Sequence, residues 1–98
     1  MKILWSPLAV ERMEEISDYV AYDSPAAANE WIDTILDKVD LLKTSPEIGR
    51  IVPELENPDF RELILGNHRI IYRLLNEAVR ILTVRNFKQI LPLQDLDK

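Results

Sequence analysis

The sequence predicts an α+β fold: an N-terminal strand, an antiparallel helical hairpin, then a three-stranded antiparallel meander, in the order β-α-α-β-β-β. Three observations carry this expectation. Two Ser-Pro pairs, Ser6-Pro7 and Ser24-Pro25, each precede a stretch with helical apolar spacing. Residues 44–59 hold three of the six prolines and close the helical half. Beyond them, two turn signals, Gly66-Asn67 and Asn76-Glu77, cut residues 60–91 into three short apolar and β-branched runs. A chain of 98 residues with 47% hydrophobic and 30% charged residues is expected to form one soluble domain, 1–98, around a single modest core.

Lys2-Ile3-Leu4-Trp5 is a short apolar run read as the first strand. Ser6 then supplies an N-cap hydroxyl and Pro7 the first helical position, where a missing N–H costs nothing. Ala9, Met13, Ile16 and Val20 recur on one helical stripe, and Glu11, Glu14, Glu15 and Asp18 take the other faces. The helix is expected to stop near Asp23. Ser24-Pro25 repeats the start signal, and Ala28, Trp31, Ile32, Ile35, Val39 and Leu42 form a second, stronger stripe. A link this short forces the two helices antiparallel. Ser45-Pro46 breaks the second helix, and Pro46, Gly49, Pro53 and Pro58 mark a structured loop. After the strands, the tail from Asn86 is apolar at Phe87, Ile90, Leu91, Leu93 and Leu96, which either docks on the sheet or awaits a partner.

Two-residue loops at both turns would pair Leu65 with His68, Leu63 with Ile70 and Arg61 with Tyr72. In the second hairpin they would pair Arg73 with Arg80, Ile71 with Leu82 and Arg69 with Val84. Side chains alternate between faces, so Leu63, Leu65, Ile70, Tyr72, Leu74, Val79 and Ile81 share one apolar face suited to the helices. Glu62, Ile64, Arg69, Ile71, Arg73, Arg80, Leu82 and Val84 share the other. Arg73 opposite Arg80 is unfavourable for a bare sheet, and Glu62 lies diagonal to both Arg69 and Arg73. Two readings fit this mixed face: an exposed, half-polar surface whose arginine stems cover the apolar residues, or the landing site of an anionic or amphipathic partner.

Charge is uneven. The chain carries 17 acids and 12 bases, net −5, with a pI near 4.8. Residues 1–43 account for all of that excess (nine acids, four bases), whereas residues 60–91 hold six bases and two acids, net +4. Whole-surface binding to nucleic acid is disfavoured, and a basic sheet surface on an acidic protein is expected. No cysteine and a single histidine, His68, exclude thiolate and multi-histidine metal sites within the chain. No signal-peptide pattern and no run of ~20 apolar residues are present, so a cytoplasmic protein is expected. The Asp33, Asp37, Asp40 stripe reads as a solvated helix face, Trp5 and Trp31 as core, and His68 as a structural turn residue. Every serine lies in a helix or its cap, and the two glycines form no phosphate loop. Phosphodiester cleavage would need cations and a base. Arg69, Arg73 and Arg80 are the cations on the mixed face, and Glu62 is the one carboxylate beside them, with a neutralising salt bridge as its plainer role.

Several segments, in this order and spacing, resemble the RelE/ParE superfamily of bacterial toxins. They are Trp5-Ser6-Pro7, Ser24-Pro25-Ala26-Ala27, the loop Pro46-Glu47-Ile48-Gly49-Arg50-Ile51-Val52-Pro53-Glu54, Arg61-Glu62-Leu63, Gly66-Asn67-His68-Arg69-Ile70-Ile71-Tyr72-Arg73 and Ile81-Leu82-Thr83-Val84-Arg85. The resemblance covers most of the chain. It implies the toxic half of a type II toxin–antitoxin (plasmid stabilisation) module, with the fold already read from the residues. A cognate antitoxin segment would fold onto the toxin, giving a toxin–antitoxin hetero-oligomer, and no cofactor is implied. Glu62, Arg69, Arg73, Arg80, Leu82, Arg85 and Lys88 are the implied partner- or target-binding residues.

The superfamily divides by target: RelE-like members cut mRNA in the ribosomal A site, and ParE-like members inhibit DNA gyrase without chemistry of their own. Arg69 matches the phosphate-contacting arginine common in the RelE-like branch, and would be the catalytic residue if this chain belonged there, as a solvent-facing strand residue removable without harm to the fold. That branch also uses basic, histidine or tyrosine residues near the C-terminus. Here Asn86-Phe87-Lys88-Gln89 stands in their place, with asparagine where many relatives have histidine. That departure and the net charge of −5 favour the ParE-like branch. A degenerate member that only binds an antitoxin is the third reading.

Overall fold

A computed structural model describes residues 1–97. Strand β1 (Lys2–Trp5) leads into α1 (Pro7–Asp23) and α2 (Pro25–Asp40), which ends in a 3-10 turn at Leu41–Lys43. Strands β2 (Arg50–Ile51), β3 (Phe60–Leu65), β4 (His68–Leu74) and β5 (Ala78–Asn86) follow, and a second 3-10 turn covers Leu93–Asp97. Both helices start where the Ser-Pro pairs put them. Ser6 Oγ accepts from the Ala9 N–H at 3.0 Å, and Ser24 Oγ accepts from the Ala27 N–H at 3.1 Å. The Ser24 N–H also closes α1 on the Val20 carbonyl at 3.0 Å. One residue thus ends the first helix and begins the second, which makes the hairpin tight.

The expected meander is present as β3-β4-β5, inside a wider sheet of order β1-β5-β4-β3-β2. β1 joins β5 in parallel, Lys2 beside Ala78 and Trp5 beside Ile81. At the other edge two residues of the Pro-rich loop pair with β3, Arg50 beside Glu62. The first hairpin has the register its turn demands, Leu65 opposite His68 and Arg61 opposite Tyr72. Gly66 carries the positive φ of +57° that a two-residue loop of type II′ needs at its first central position.

The second hairpin departs from expectation part-way along. Arg73 does face Arg80, but Tyr72 faces Ile81 and Ile71 faces Thr83, so Leu82 is an extra residue in β5. This β-bulge shifts the alternation by one position. Ile71 and Arg69 therefore face Thr83 and Arg85 rather than Leu82 and Val84. Val84, expected on the mixed face, turns instead into the helix-side core, where it is 1% exposed, and Arg85 takes the place beside Arg69. The Leu82 carbonyl at the bulge accepts from Ser6 Oγ at 2.9 Å.

Each sheet face has its own core. The helices cover the expected apolar face, packing Ala9, Ile35, Val39 and Leu42 against Leu63, Ile70, Val79 and Ile81. The other face, read as an exposed surface or a partner's landing site, is covered by the Pro-rich loop and by the tail, whose docking on the sheet was one of its two expected fates. Val52 and Leu55 from the loop, and Leu91 and Leu96 from the tail, pack on Ile71 and Leu82. Tyr72 fixes the loop to the sheet: its hydroxyl accepts from the Gly49 N–H at 2.9 Å and donates to the Pro46 carbonyl at 2.8 Å. Burial pushes this phenol pKa up. A side chain at Gly49 would put its Cβ 2.7 Å from the Glu62 carbonyl, so only glycine allows this approach.

Candidate functional site

The residues singled out in the sequence converge on the loop-and-tail face, and three of them are buried there. β3 and β4 place Glu62 and Arg69 diagonally on one face, and β2 brings Arg50 beside Glu62. The Glu62 carboxylate has no exposed side-chain surface and accepts from two arginines. Arg50 Nε reaches Oε2 at 2.5 Å, and Arg69 Nε reaches Oε1 at 2.8 Å. The far side of the Arg69 guanidinium donates to Glu54 in a fork, Nη1 to Oε2 at 2.7 Å and Nη2 to Oε1 at 2.8 Å. The Phe87 ring lies over the pair, 5.6 Å from Arg50 Cζ and 5.9 Å from Arg69 Cζ.

The electrostatics follow from that geometry. The Arg69 fork holds the Glu54 carboxyl below its usual range despite partial burial. In return the Glu54 hydrogen bonds, then those of Glu62, push the Arg69 guanidinium pKa further up. Arg69 is 5% exposed, so its expected solvent-facing position is corrected: the loop after β2 folds over it and Glu54 takes its outer edge. Glu62 and Leu82, at 1% exposed each, are corrected in the same way. Nor does Glu62 bridge Arg69 to Arg73; it bridges Arg69 to Arg50.

The other four residues sit around this cluster. Arg73 is exposed and lies over the Phe60 ring at 5.2 Å. Arg80 is half-buried, with an enclosed Nε that has no acceptor. Arg85 Nε approaches Asp95 Oδ2 to 3.2 Å without hydrogen-bond alignment, and Thr83 Oγ1 donates to the same oxygen at 3.3 Å. Lys88 is exposed beyond β5. His68 sits half-buried at the start of β4, edge-on to Trp31 with ring centres 5.5 Å apart. Burial lowers its pKa, favouring neutral imidazole.

Sequence reasoning missed Arg50, Glu54, Phe87 and Asp95. Their one signal was charge and aromaticity in segments without periodicity, which does not tell where a loop folds back. Chemically, the cluster is a closed ion-pair network. Both carboxylates are engaged by arginines, and Arg69 commits its Nε, Nη1 and Nη2 to them. Among the described residues no group of acidic, histidine or cysteine side chains is arranged to hold a metal ion. Among the described residues no helix is long and apolar enough to cross a membrane.

Residues 3–91 match the family described as the ParE toxin of the type II toxin–antitoxin system parDE. A solved structure described as the chromosomal ParDE toxin–antitoxin system from P. aeruginosa contains a chain of similar fold. The TM-score is 0.74 at 24% identity, over 90% of this chain and 97% of that one. No curated protein matches the sequence.

Proposed function

The chain belongs to the ParE toxin family of type II toxin–antitoxin systems, and from that premise we propose that it is a cytoplasmic toxin that inhibits DNA gyrase by binding, neutralised by a cognate antitoxin in a hetero-oligomeric complex. One observation carries the choice of target: Arg69, the residue a ribosome-dependent nuclease would turn toward the scissile phosphate, is enclosed by Glu54 and Glu62. Freeing it for a phosphate would take from the buried Glu62 carboxylate one of its two arginines and from Glu54 its fork, a costly exchange. A binding toxin needs no free catalytic cation, and an acidic helical hairpin does not hinder approach to a protein. The surface left for target or antitoxin on this side includes Arg50, Arg73, Arg80, Lys88 and the exposed side chains of Phe87 and Ile90.

The test is a supercoiling assay on purified gyrase with purified chain, run beside 5′-end mapping of mRNA after induction. Loss of supercoiling without new mRNA ends is the expected result. Codon-phased ends with supercoiling intact would overturn it in favour of a RelE-like nuclease. Silence in both, from folded protein, would indicate a degenerate antitoxin binder. Adding the cognate antitoxin is expected to raise the melting temperature, since a ligand of the folded state stabilises it by mass action.

A further inference from the structure

Of the two edges of the sheet, one is used up and one is open. Strand β2 is two residues long, and Gly49 beside it already gives its N–H to the Tyr72 hydroxyl and its carbonyl to Arg61. At the other edge, β1 has β5 as its one strand neighbour among the described residues. Lys2 and Ser6 donate their N–H groups to the Glu77 and Ile81 carbonyls. Backbone groups alternate in direction along a strand, so Leu4 also points to β5, and the N–H and C=O groups of Ile3 and Trp5 point out of the sheet. Such a row is a template for another strand. Beside it a cleft of about 460 Å³ runs between β1 and α2, with Ile3, Trp5, Leu36 and Val39 as its apolar wall.

We propose that β1 pairs with β1 of a second copy of this chain, antiparallel about a two-fold axis at Leu4, joining two five-stranded sheets into one continuous sheet. The register is the argument for a second copy. With Leu4 opposite Leu4 of the second copy, Ile3 falls opposite Trp5 in both halves, and every outward N–H and C=O of these residues finds a partner. Moving the axis by one residue fails either way. Centring it on Trp5 sets Ile3 against Pro7, which has no N–H. Centring it on Ile3 sets Trp5 against Met1, whose amino group is taken by the Lys43 carbonyl at 2.9 Å. At Leu4 no like charges meet, since Lys2 lies opposite Ser6. Leu4 itself, half-buried and outside both cores, receives apolar cover from its copy. Charge allows the approach at this edge. The outer face of α1, with Glu11, Glu14, Glu15 and Asp18, repels its own copy. On the rim of the β1 cleft, Asp40 and Lys43 neutralise each other at 2.6 Å. The axis stands perpendicular to the sheet, so the loop-and-tail faces of both copies point to the same side. The inference is independent of whether gyrase is the target.

The chain has no cysteine, so one introduced thiol reports the register. Across the axis two Leu4 positions lie about 4.5 Å apart, within reach of a disulfide, whereas two Lys2 positions are separated by more than about 13 Å. Oxidation with copper phenanthroline is expected to link Leu4→Cys into dimers and Lys2→Cys about tenfold less. The parent chain, free of any other protein, is expected to pass from monomer to dimer in sedimentation equilibrium between about 1 µM and about 1 mM. Its Ile3 and Trp5 amides should gain protection from hydrogen exchange over the same range. Leu4→Lys sets like charges at the axis and is expected to return the chain to monomer with its circular dichroism unchanged. Four results would each overturn the proposal: a monomer at about 1 mM, equal cross-linking of the two cysteine variants, a dimer with unprotected Ile3 and Trp5 amides, or a dimer that survives Leu4→Lys.

Discussion

The two faces of the sheet are held by different physics. The helix face is covered by regular elements whose stripes interlock with Leu63, Ile70, Val79 and Ile81, and its stability is that of apolar burial. The opposite face is covered by a Pro-rich loop and a tail, with fewer apolar residues, and at its centre lies the network of Arg50, Glu54, Glu62 and Arg69. Apolar packing tolerates substitution in proportion to the volume removed. A buried ion network has a sharper response, because removing one partner strands the others. Regular elements thus make the helix face robust, whereas the loop face depends on every member of a small set being present.

The largest expected effect breaks that comparison at its charged end. Glu62→Ala removes the fully buried acceptor shared by Arg69 and Arg50, leaving Arg69 with Glu54 alone, and is expected to cost about 3 to 4 kcal/mol in chemical denaturation. A loss below that of a typical surface substitution would mean that the network is ornamental. On the helix face, Ile70→Ala removes a fully buried side chain and is expected to cost about 3 kcal/mol by the same measurement. Its dependence on pH should match that of the parent chain, since no charge is touched.

Acid sharpens the contrast further. The folded-state pKa of Glu54 is depressed by Arg69. Its contribution is therefore present above the unfolded value of about 4.5 and fades as pH falls through the lower folded value. Thermal melts between pH 7 and pH 2 are expected to show a component of the acid-side loss that Glu54→Gln abolishes. An identical pH profile for that variant would remove Glu54 from the account. The smallest effect concerns the loop backbone: Glu56 holds φ at +53°, left-handed geometry that costs a non-glycine residue. Glu56→Gly should raise stability by about 0.5 kcal/mol, the relief of strain exceeding the added chain entropy.

The same comparison explains what was legible in the sequence. Ser6-Pro7 and Ser24-Pro25 placed both helices, and the alternation of Leu63, Ile70, Tyr72 and Ile81 identified the helix face, because capping and periodicity are local signals. The cover on the other face was only partly legible, in the apolar tail, for two physical reasons. The bulge at Leu82 has no local signature, yet it reverses the facing of Val84 and Arg85. Loop residues such as Glu54, and tail residues such as Leu91 and Asp95, are placed by tertiary contacts that periodicity does not encode. Of the candidate site residues, Glu62, Arg69 and Leu82 consequently belong to the interior of that face rather than to its surface.

The parallel pairing of β1 with β5 also dictates an order of assembly during synthesis. β1 leaves the ribosome ahead of the other strands described, and its partner, Ala78–Asn86, follows only after both helices and β2 to β4. Ser6 waits equally long for the Leu82 carbonyl, 76 positions along the chain. Local contacts let the helical hairpin form early, while the sheet edge at β1 stays unpaired until β5 arrives. A nascent chain cut between α2 and β5 would carry both helices and an incomplete sheet, so neither face of the sheet is whole until β5 has been made.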